Sequence, residues 1–128
     1  MSVSTKLDLQ GDRVEIPVDK ALKIIKEIFN HLGCPNDKSR MISDHLVDAN
    51  LCGVESHGVM RVMQYAERMR KGSMKVDVQP EVKLKENGAT VVDGKMGNGI
   101  PAMTLAYETS MELAKETGLA AVSIINTG

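Results

Sequence analysis

Three side chains with complementary chemistry recur at four-residue spacing in the middle of the chain: His57, Arg61 and Tyr65. Apolar spacing predicts a helix over residues 56–71, in which each step of four turns by about 40°, so the three side chains would share one side. An arginine binds a carboxylate through two parallel hydrogen bonds, and an imidazole exchanges a proton near neutral pH. A tyrosine hydroxyl can orient a bound molecule through a neutral hydrogen bond. The row therefore suits a small 2-keto or 2-hydroxy acid.

The same row has a plainer interpretation, in which a polar helical face carries polar residues because it meets water. Spacing alone leaves this alternative open. At the start of the predicted helix, Ser56 is suited to cap the backbone beside His57, and Gly58 leaves room for another group to approach closely. The opposite side of the helix is expected to face the core; it carries Val59, Val62, Met63, Ala66 and Met69.

Two amphipathic helices are predicted ahead of this one. Apolar spacing indicates a helix over residues 20–32, capped by Asp19 and ended by Gly33, and a second helix over residues 38–51, ended by Gly53. Short connections between three amphipathic helices predict a compact helical unit.

The hydrophobic period changes in the last third of the chain. Two strands are predicted over residues 81–86 and 89–93, joined by an Asn-Gly pair that is typical of a tight hairpin turn. A fourth helix is predicted from near Pro101 to Gly118. The apolar, β-branched residues 119–125 then predict a buried strand.

Composition excludes several classes of protein. The 128 residues carry 16 Lys+Arg against 17 Asp+Glu, and one phenylalanine and two tyrosines are the only aromatic rings, so neither the charge nor the stacking surface of a nucleic-acid binder is present. No apolar run approaches the roughly 20 residues that span a bilayer. Cys34 and Cys52 stand far apart, and no HExxH or paired CxxC pattern occurs, so we expect reduced thiols and no metal site.

The segment Gly97-Asn98-Gly99-Ile100-Pro101-Ala102 matches G-x-G-x-x-G/A, a pattern typical of a turn that holds a dinucleotide pyrophosphate at a helix N-terminus. Three features weigh against that role. The preceding strand is predicted as half of a hairpin rather than part of a parallel crossover, residues 121–128 lack the acidic residue of such sites, and Pro101 has no amide hydrogen to donate. Glycines needed for turn geometry are the favoured interpretation.

Residues 50–65 read Asn-Leu-Cys-Gly-Val-Glu-Ser-His-Gly-Val-Met-Arg-Val-Met-Gln-Tyr, which strongly resembles the malate/L-lactate dehydrogenase family, a group that also holds ureidoglycolate and diketogulonate oxidoreductases. The family pattern is Leu-x-Gly-Val-(Asp/Glu)-Ser-His-Gly, followed by x-x-Arg-(Leu/Val)-x-x-Tyr. The turn at residues 91–94 and the glycines that follow it fit as well, and the resemblance extends from about residue 18 to residue 128.

The resemblance implies an oxidoreductase that transfers a hydride between NAD or NADP and a small 2-hydroxy or 2-keto acid, ordinarily as a cytoplasmic homodimer. By position in the family pattern, His57 would be the acid/base residue, Arg61 the carboxylate clamp and Tyr65 a substrate contact. Ser56, grouped with the substrate-binding residues, would support His57 at the helix start. The implied partner is the small-molecule substrate, and neither nucleic acid nor a membrane is expected.

The fold class that the resemblance implies is α/β, or α+β within this chain. Residues 14–76 would form a three-helix unit on the substrate side, and residues 77–128 the opening hairpin, helix and strand of a non-Rossmann cofactor-binding sheet domain. Residues 1–13 are expected to be a tail. Family members are much longer and their nucleotide-contacting segments lie beyond Gly128, so we expect an N-terminal fragment that is inactive by itself.

Two other functions stay open on the residues alone. One is a non-catalytic helical interaction module, in which a surface rich in the nine methionines of this chain binds a partner helix. The other is a stand-alone nucleotide-binding domain that uses the loop from Gly97 to Gly99.

Overall fold

The structure, a computed structural model, describes residues 14–84 and 88–128. Within these ranges the elements in chain order are α1 (Val18–His31), α2 (Asn36–Leu51), a 3-10 turn (Glu55–His57), α3 (Arg61–Arg70), β1 (Glu81–Leu84), β2 (Thr90–Gly97), α4 (Gly99–Thr117) and β3 (Val122–Thr127). A helical unit is thus followed by an α/β unit, which confirms the predicted fold class. The predicted tail over residues 1–13 lies outside the described residues. No helix of the described ranges combines the length and the apolar content needed to cross a membrane.

Prolines set the starts of the first two helices. Pro17 and Pro35 directly precede α1 and α2 with φ values of −54° and −56°, within the range to which the proline ring restricts the backbone. The prediction that Asp19 caps α1 is wrong: it lies in the first turn, where its carboxylate interacts favourably with the helix dipole. Gly33 has a φ of +89° and ends α1 as predicted.

The first three helices enclose a hydrophobic core. Phe29 of α1 and Leu46 of α2 have no exposed surface, and Val62 and Met69 join them from α3. Burying a side chain of this kind contributes roughly 1.5–3 kcal/mol. Met63, which was predicted to face the core, is 72% exposed. The stripe of α3 that meets the core passes through Val62 and Met69, and the next residue along a helix points about 100° away.

The three strands form a mixed sheet in the order β1-β2-β3. β1 pairs with β2 in antiparallel fashion, as the predicted hairpin requires, and β2 pairs with β3 in parallel across α4. A parallel crossover, which was not predicted at this loop, is therefore present. β2 pairs in antiparallel fashion at one edge and in parallel fashion at the other, so it belongs to both a hairpin and a crossover. α4 covers the sheet through Ala102 and Ala106, which pack on the buried Val92.

The last helix ends as predicted, but the last strand is less buried than predicted. Gly118 closes α4 with a φ of +79°, a conformation that glycine adopts without strain. In β3, Ile125 is 39% exposed and half-buried positions alternate with exposed ones at the start of the strand. The reason is that Val122 and Ile124 pack against the cluster that α4 forms with the sheet, whereas Ser123 and Ile125 point to the opposite face.

The helix predicted over residues 56–71 is interrupted at Gly58. This glycine has φ −98° and ψ −146°, outside the helical region, and the backbone N–H of Val59 donates to Oδ1 of Asn50 at 2.6 Å. A Cβ on Gly58 would lie 1.9 Å from that oxygen and 3.1 Å from the carbonyl oxygen of Leu46. The room at Gly58 therefore admits the side chain of Asn50, and α3 begins only at Arg61.

The strand β2 bends sharply before α4. Lys95 and Met96 have φ values of +51° and +63°, and the register of pairing with β3 shifts there. The Asp93 carboxylate is buried, and it accepts hydrogen bonds from Lys83 Nζ on β1 (2.6 Å), Asn126 Nδ2 on β3 (2.9 Å) and the Lys95 backbone N–H (2.9 Å). These bonds, the one from Lys83 foremost, hold the pKa of Asp93 well below its usual range. One carboxylate therefore ties all three strands together at the bend.

Replacing Asn50 by alanine is expected to lower the free energy of unfolding by about 1 kcal/mol, the typical net contribution of one hydrogen bond. The matched control is Asp48→Ala, an exposed position on the same helix, which should change the stability by less than about 0.5 kcal/mol. Urea denaturation of the wild type and the two variants measures both changes in the free energy of unfolding. Equal losses for the two variants would remove Asn50 from the positioning of α3.

The bend in β2 predicts a dependence of stability on acid pH. Because the pKa of Asp93 is lower in the folded chain than in the unfolded chain, its contribution is complete above about pH 4 and is lost as the pH falls below that value. The wild-type chain should therefore lose stability below about pH 4 more steeply than the Asp93→Asn variant, whose amide does not titrate. Urea midpoints measured in acid check this, with Asp77→Asn as the exposed control. Parallel curves for the wild type and Asp93→Asn would contradict it.

Candidate functional site

The structure places His57, Arg61 and Tyr65 on two elements rather than on one helix. His57 is the last residue of the 3-10 turn, Arg61 is the first residue of α3, and Tyr65 lies about one turn further along α3. The residues between the two elements form a turn, in which the Arg61 N–H donates to the carbonyl oxygen of Gly58 at 2.9 Å. The prediction of a continuous helical row is therefore wrong at its His57 end, because the backbone leaves the helical region at Gly58.

Ser56 joins the imidazole and the guanidinium. Its hydroxyl oxygen lies 3.0 Å from Nδ1 of His57, and its backbone carbonyl accepts a hydrogen bond from Nε of Arg61 at 2.7 Å. Ser56 is not the helix cap that its position in the sequence predicted, since no side chain caps α3. Its hydroxyl contacts the imidazole instead. One serine thus fixes the position of His57 relative to Arg61.

Both side chains keep polar atoms that these contacts do not use. The His57 side chain is exposed, and only its Nδ1 takes part in the contact with Ser56. The half-buried Arg61 donates a second hydrogen bond from Nη1 to Gln64 Oε1 at 2.7 Å, so the two bonds use two of its five N–H donors. An imidazole and a guanidinium with further donors, both linked to Ser56, have the chemistry to bind the two ends of a 2-keto acid, the keto oxygen and the carboxylate.

Tyr65 is half-buried and lines a cleft of about 420 Å³ between the helical unit and the α/β unit. The rest of the lining comes from α2, the first turns of α4 and the end of β3: His45, Gly99, Ile100, Met103, Thr104, Ile124, Thr127 and Gly128. Ser56, His57 and Arg61 are not among the lining residues. The structure therefore links His57 with Arg61, and it sets Tyr65 against a cleft that those two side chains do not line.

A larger and more apolar groove of about 930 Å³ runs between α1 and α3. It includes His31 and the exposed Met63, but none of the four candidate residues. Size alone therefore does not identify the site of chemistry in this chain.

The glycine loop before α4 caps that helix and packs against the rest of the chain. Asn98 caps α4, since its Oδ1 accepts the Ile100 N–H at 2.9 Å, and Pro101 has no N–H. A Cβ on Gly97 would lie 2.7 Å from Cγ2 of Val78, so this glycine is needed for the packing of the chain. Although the parallel crossover is present, these residues do not fit a pyrophosphate cradle at this loop.

Within residues 14–84 and 88–128, no group of three or more His, Cys, Asp or Glu side chains is placed to hold a metal ion. Both cysteines are free thiols. Cys34 is buried, and burial raises the pKa of its thiol, while Cys52 is exposed.

Two asparagines that position these elements were not identified from the sequence. Asn98 stands between two glycines just before a helix with proline in its first turn, which is a helix-start signature that could have been recognised. Asn50 carries no such local signal, because the N–H that it binds lies nine residues further along the chain.

Comparison with known sequences agrees with the family resemblance of residues 50–65. The model of the malate/L-lactate dehydrogenase family matches residues 16–128. Malate dehydrogenase of Pyrococcus abyssi is 29% identical over 116 residues, which cover 89% of this chain and 32% of the relative. Hydroxycarboxylate dehydrogenase B of Escherichia coli O157:H7 is 31% identical over 80% of this chain and 28% of the relative. The chain thus spans about a third of the length of the curated relatives that it matches.

Solved structures share the fold. Malate dehydrogenase from Pyrococcus horikoshii OT3 superposes with a TM-score of 0.81 at 28% identity, covering 90% of this chain and 33% of that one. Sulfolactate dehydrogenase from Methanocaldococcus jannaschii gives a TM-score of 0.79 at 30% identity, covering 88% and 33%. With the family match running from residue 16 to residue 128, this chain belongs to the malate/L-lactate dehydrogenase family.

Proposed function

We propose that this chain is the N-terminal, substrate-side part of a 2-hydroxyacid dehydrogenase that uses NAD or NADP. The observation that carries the proposal is the link through Ser56, whose hydroxyl contacts the imidazole of His57 and whose backbone carbonyl accepts a hydrogen bond from the guanidinium of Arg61. The names of the relatives, which are malate, sulfolactate and hydroxycarboxylate dehydrogenases, support the same substrate class. Because the chain spans about a third of these relatives, we propose that it acts as part of a longer enzyme.

Arg61 binds the carboxylate of the substrate in this proposal. A guanidinium offers donors in a planar fork that matches the two oxygens of a carboxylate. The bond from its Nε to the Ser56 carbonyl fixes the stem of the side chain, and so less conformational freedom is lost when the substrate binds. The clamp then presents the keto carbon in one orientation, which is catalysis by positioning.

His57 handles the proton of the reaction. When the keto acid is reduced, its carbonyl carbon accepts a hydride, and the oxygen takes a proton from the imidazolium of His57, which is later reprotonated from solvent. In the opposite direction the neutral imidazole removes the hydroxyl proton. Nε2 is the nitrogen that does this, since Nδ1 is engaged by Ser56. Tyr65, one turn along α3 from Arg61, is proposed to contact the substrate from the cleft that it lines, which His57 and Arg61 do not line.

The cofactor, which supplies the hydride when it is bound, is assigned to no described residue, since the Gly97–Gly99 loop does not fit its pyrophosphate. We propose that residues 14–76 are the substrate-side unit and residues 77–128 the beginning of the cofactor domain. A cytoplasmic homodimer is proposed from the family resemblance alone.

The His57→Ala substitution, made in the enzyme that contains this chain, is expected to lower kcat by roughly 10²–10⁴-fold, because the keto oxygen loses its proton donor. The affinity for the cofactor should change little. Steady-state reduction of oxaloacetate or pyruvate measures the first quantity, and titration of the cofactor measures the second. His31→Ala, an exposed histidine on α1, is the control and should keep wild-type turnover. Wild-type turnover in His57→Ala would remove this residue from the mechanism.

The Arg61→Lys substitution is expected to raise KM for the keto acid by at least about tenfold, with a smaller effect on kcat, because an ammonium cannot form the two-pronged contact with a carboxylate. Arg70→Lys, at the other end of α3, is the matched control and should leave KM unchanged. If the two variants have the same KM as the wild type, the carboxylate binds elsewhere.

A further inference from the structure

The buried carboxylate of Asp93 has no role in the chemistry proposed above, yet it is 7% exposed and accepts hydrogen bonds from three separate segments. One oxygen accepts from Lys83 Nζ at 2.6 Å. The other oxygen, Oδ1, accepts from the backbone N–H of Lys95 and from Nδ2 of Asn126, both at 2.9 Å. A carboxylate with this many partners holds the backbone around it in one arrangement.

Asn126 is the partner whose backbone is unusual. It has a φ of +53°, in the left-handed region that non-glycine residues rarely occupy and that asparagine tolerates better than most. Its side chain is bonded to Asp93 Oδ1 in that conformation. Loss of this bond would leave nothing described at the Asn126 side chain to favour the left-handed backbone over the extended one.

The conformation of Asn126 decides where the next two residues lie. Thr127 pairs with Gly97, and the N–H of Gly128 donates to the Gly97 carbonyl at 2.7 Å. Thr127 and Gly128 line the cleft that Tyr65 also lines. An extended backbone at Asn126 would redirect both residues away from this lining.

β2 and β3 pack closely together at Gly94 and Thr127. A Cβ on Gly94 would lie 2.9 Å from Cγ2 of Thr127 and 3.0 Å from the carbonyl oxygen of Asn126. There is accordingly little space for Thr127 to take a second position while β2 and β3 stay paired.

We propose that Asp93 is a positioning residue, whose hydrogen bond to Asn126 holds that residue in the left-handed conformation and thereby fixes Thr127 and Gly128 in the wall of the cleft opposite Tyr65. The backbone effect stands by itself, and only its consequence for turnover rests on the proposed function. Asp93 acts through Asn126 and does not touch the substrate.

Two substitutions at Asp93 separate positioning from charge. Asp93→Ala removes both acceptor oxygens, and residue 126 should then leave the left-handed conformation. Asp93→Asn keeps an oxygen that can accept from both Lys95 N–H and Asn126 Nδ2, so the conservative variant should rescue the backbone although it loses the charge. Lys83→Met removes the ion pair alone and is the matched control, in which residue 126 should stay left-handed.

Nuclear magnetic resonance of the 128-residue chain measures the backbone directly. A strong intraresidue HN–Hα Overhauser effect marks a positive φ, because the two protons are then close together. We expect this signal at residue 126 to be lost in Asp93→Ala, with shifts of the Thr127 and Gly128 amides, and to be retained in Asp93→Asn and Lys83→Met. If Asp93→Ala does not fold, Asn126→Asp decides the point, since it removes the donor at an exposed position and should lose the same signal.

Turnover of the enzyme that contains the chain gives the second readout. We expect kcat/KM to fall by about 10–100-fold in Asp93→Ala, as a displacement of about 1 Å in the cleft lined by Tyr65, the proposed substrate contact, can cause, and by less than about threefold in Asp93→Asn. A left-handed residue 126 and unchanged amides in folded Asp93→Ala would overturn the proposal, and so would an altered backbone with wild-type kcat/KM. Absence of dehydrogenase activity in the wild type would refute the proposed function, while the resonance data would still decide the role of Asp93.

Discussion

The side chain of Asn50 occupies the space beside Gly58, where the backbone turns between the 3-10 turn and α3. It reaches from the end of α2 to the backbone of Val59, and it fills the space that a side chain on Gly58 would need. The backbone therefore leaves the helix at Gly58 and re-enters it at Arg61. Asn50 lies one turn beyond the fully buried Leu46, so the core that anchors α2 also anchors this contact. The Ser56 contacts with His57 and Arg61 span this turn.

The α/β unit meets the helical unit at the carboxyl ends of β2 and β3, which is where open α/β sheets bind ligands. Two polar contacts shape this edge. Asn98 caps α4 immediately after β2, and Asp93 links β2 to the end of β3. The cleft that Tyr65 shares with Thr127 and Gly128 lies between the two units, so the proposed substrate contact and the sheet edge face the same space.

Signals within a few residues predicted the ends of two helices and the antiparallel strand pair, which depend on local backbone conformation. Gly33 and Gly118 adopt positive φ values and end α1 and α4. The strands on either side of the Asn-Gly pair are antiparallel neighbours, while the predicted turn includes Asn87, which lies outside the described residues. The resemblance of residues 50–65 to the family pattern predicts site roles for Ser56, His57, Arg61 and Tyr65. The structure links the first three by hydrogen bonds and sets Tyr65 against a separate cleft, and their roles stay predictions.

The predictions that the structure contradicts concern places where contacts between distant residues override the local conformational preference of the backbone. Helical spacing continues through Gly58, and nothing within a few residues shows that Asn50 occupies the space beside it. The bend in β2 depends in the same way on Asp93, whose partners Lys83 and Asn126 are 10 and 33 residues away. Ser123 and Ile125 of β3 are exposed because they point away from the face that α4 covers, and an apolar, β-branched composition does not show which face is covered.

In the proposed function, His57 and Arg61 act together on the two ends of one 2-keto acid. Nitrogen-15 resonance of histidine side chains in the enzyme containing this chain, titrated with a non-reducible analogue such as oxamate, reports on this pairing. We expect the His57 ring signals to change on binding, those of His31 to stay unchanged, and the response to disappear in Arg61→Lys. Saturable binding of the analogue with an unchanged His57 ring would show that His57 and Arg61 do not act on one substrate.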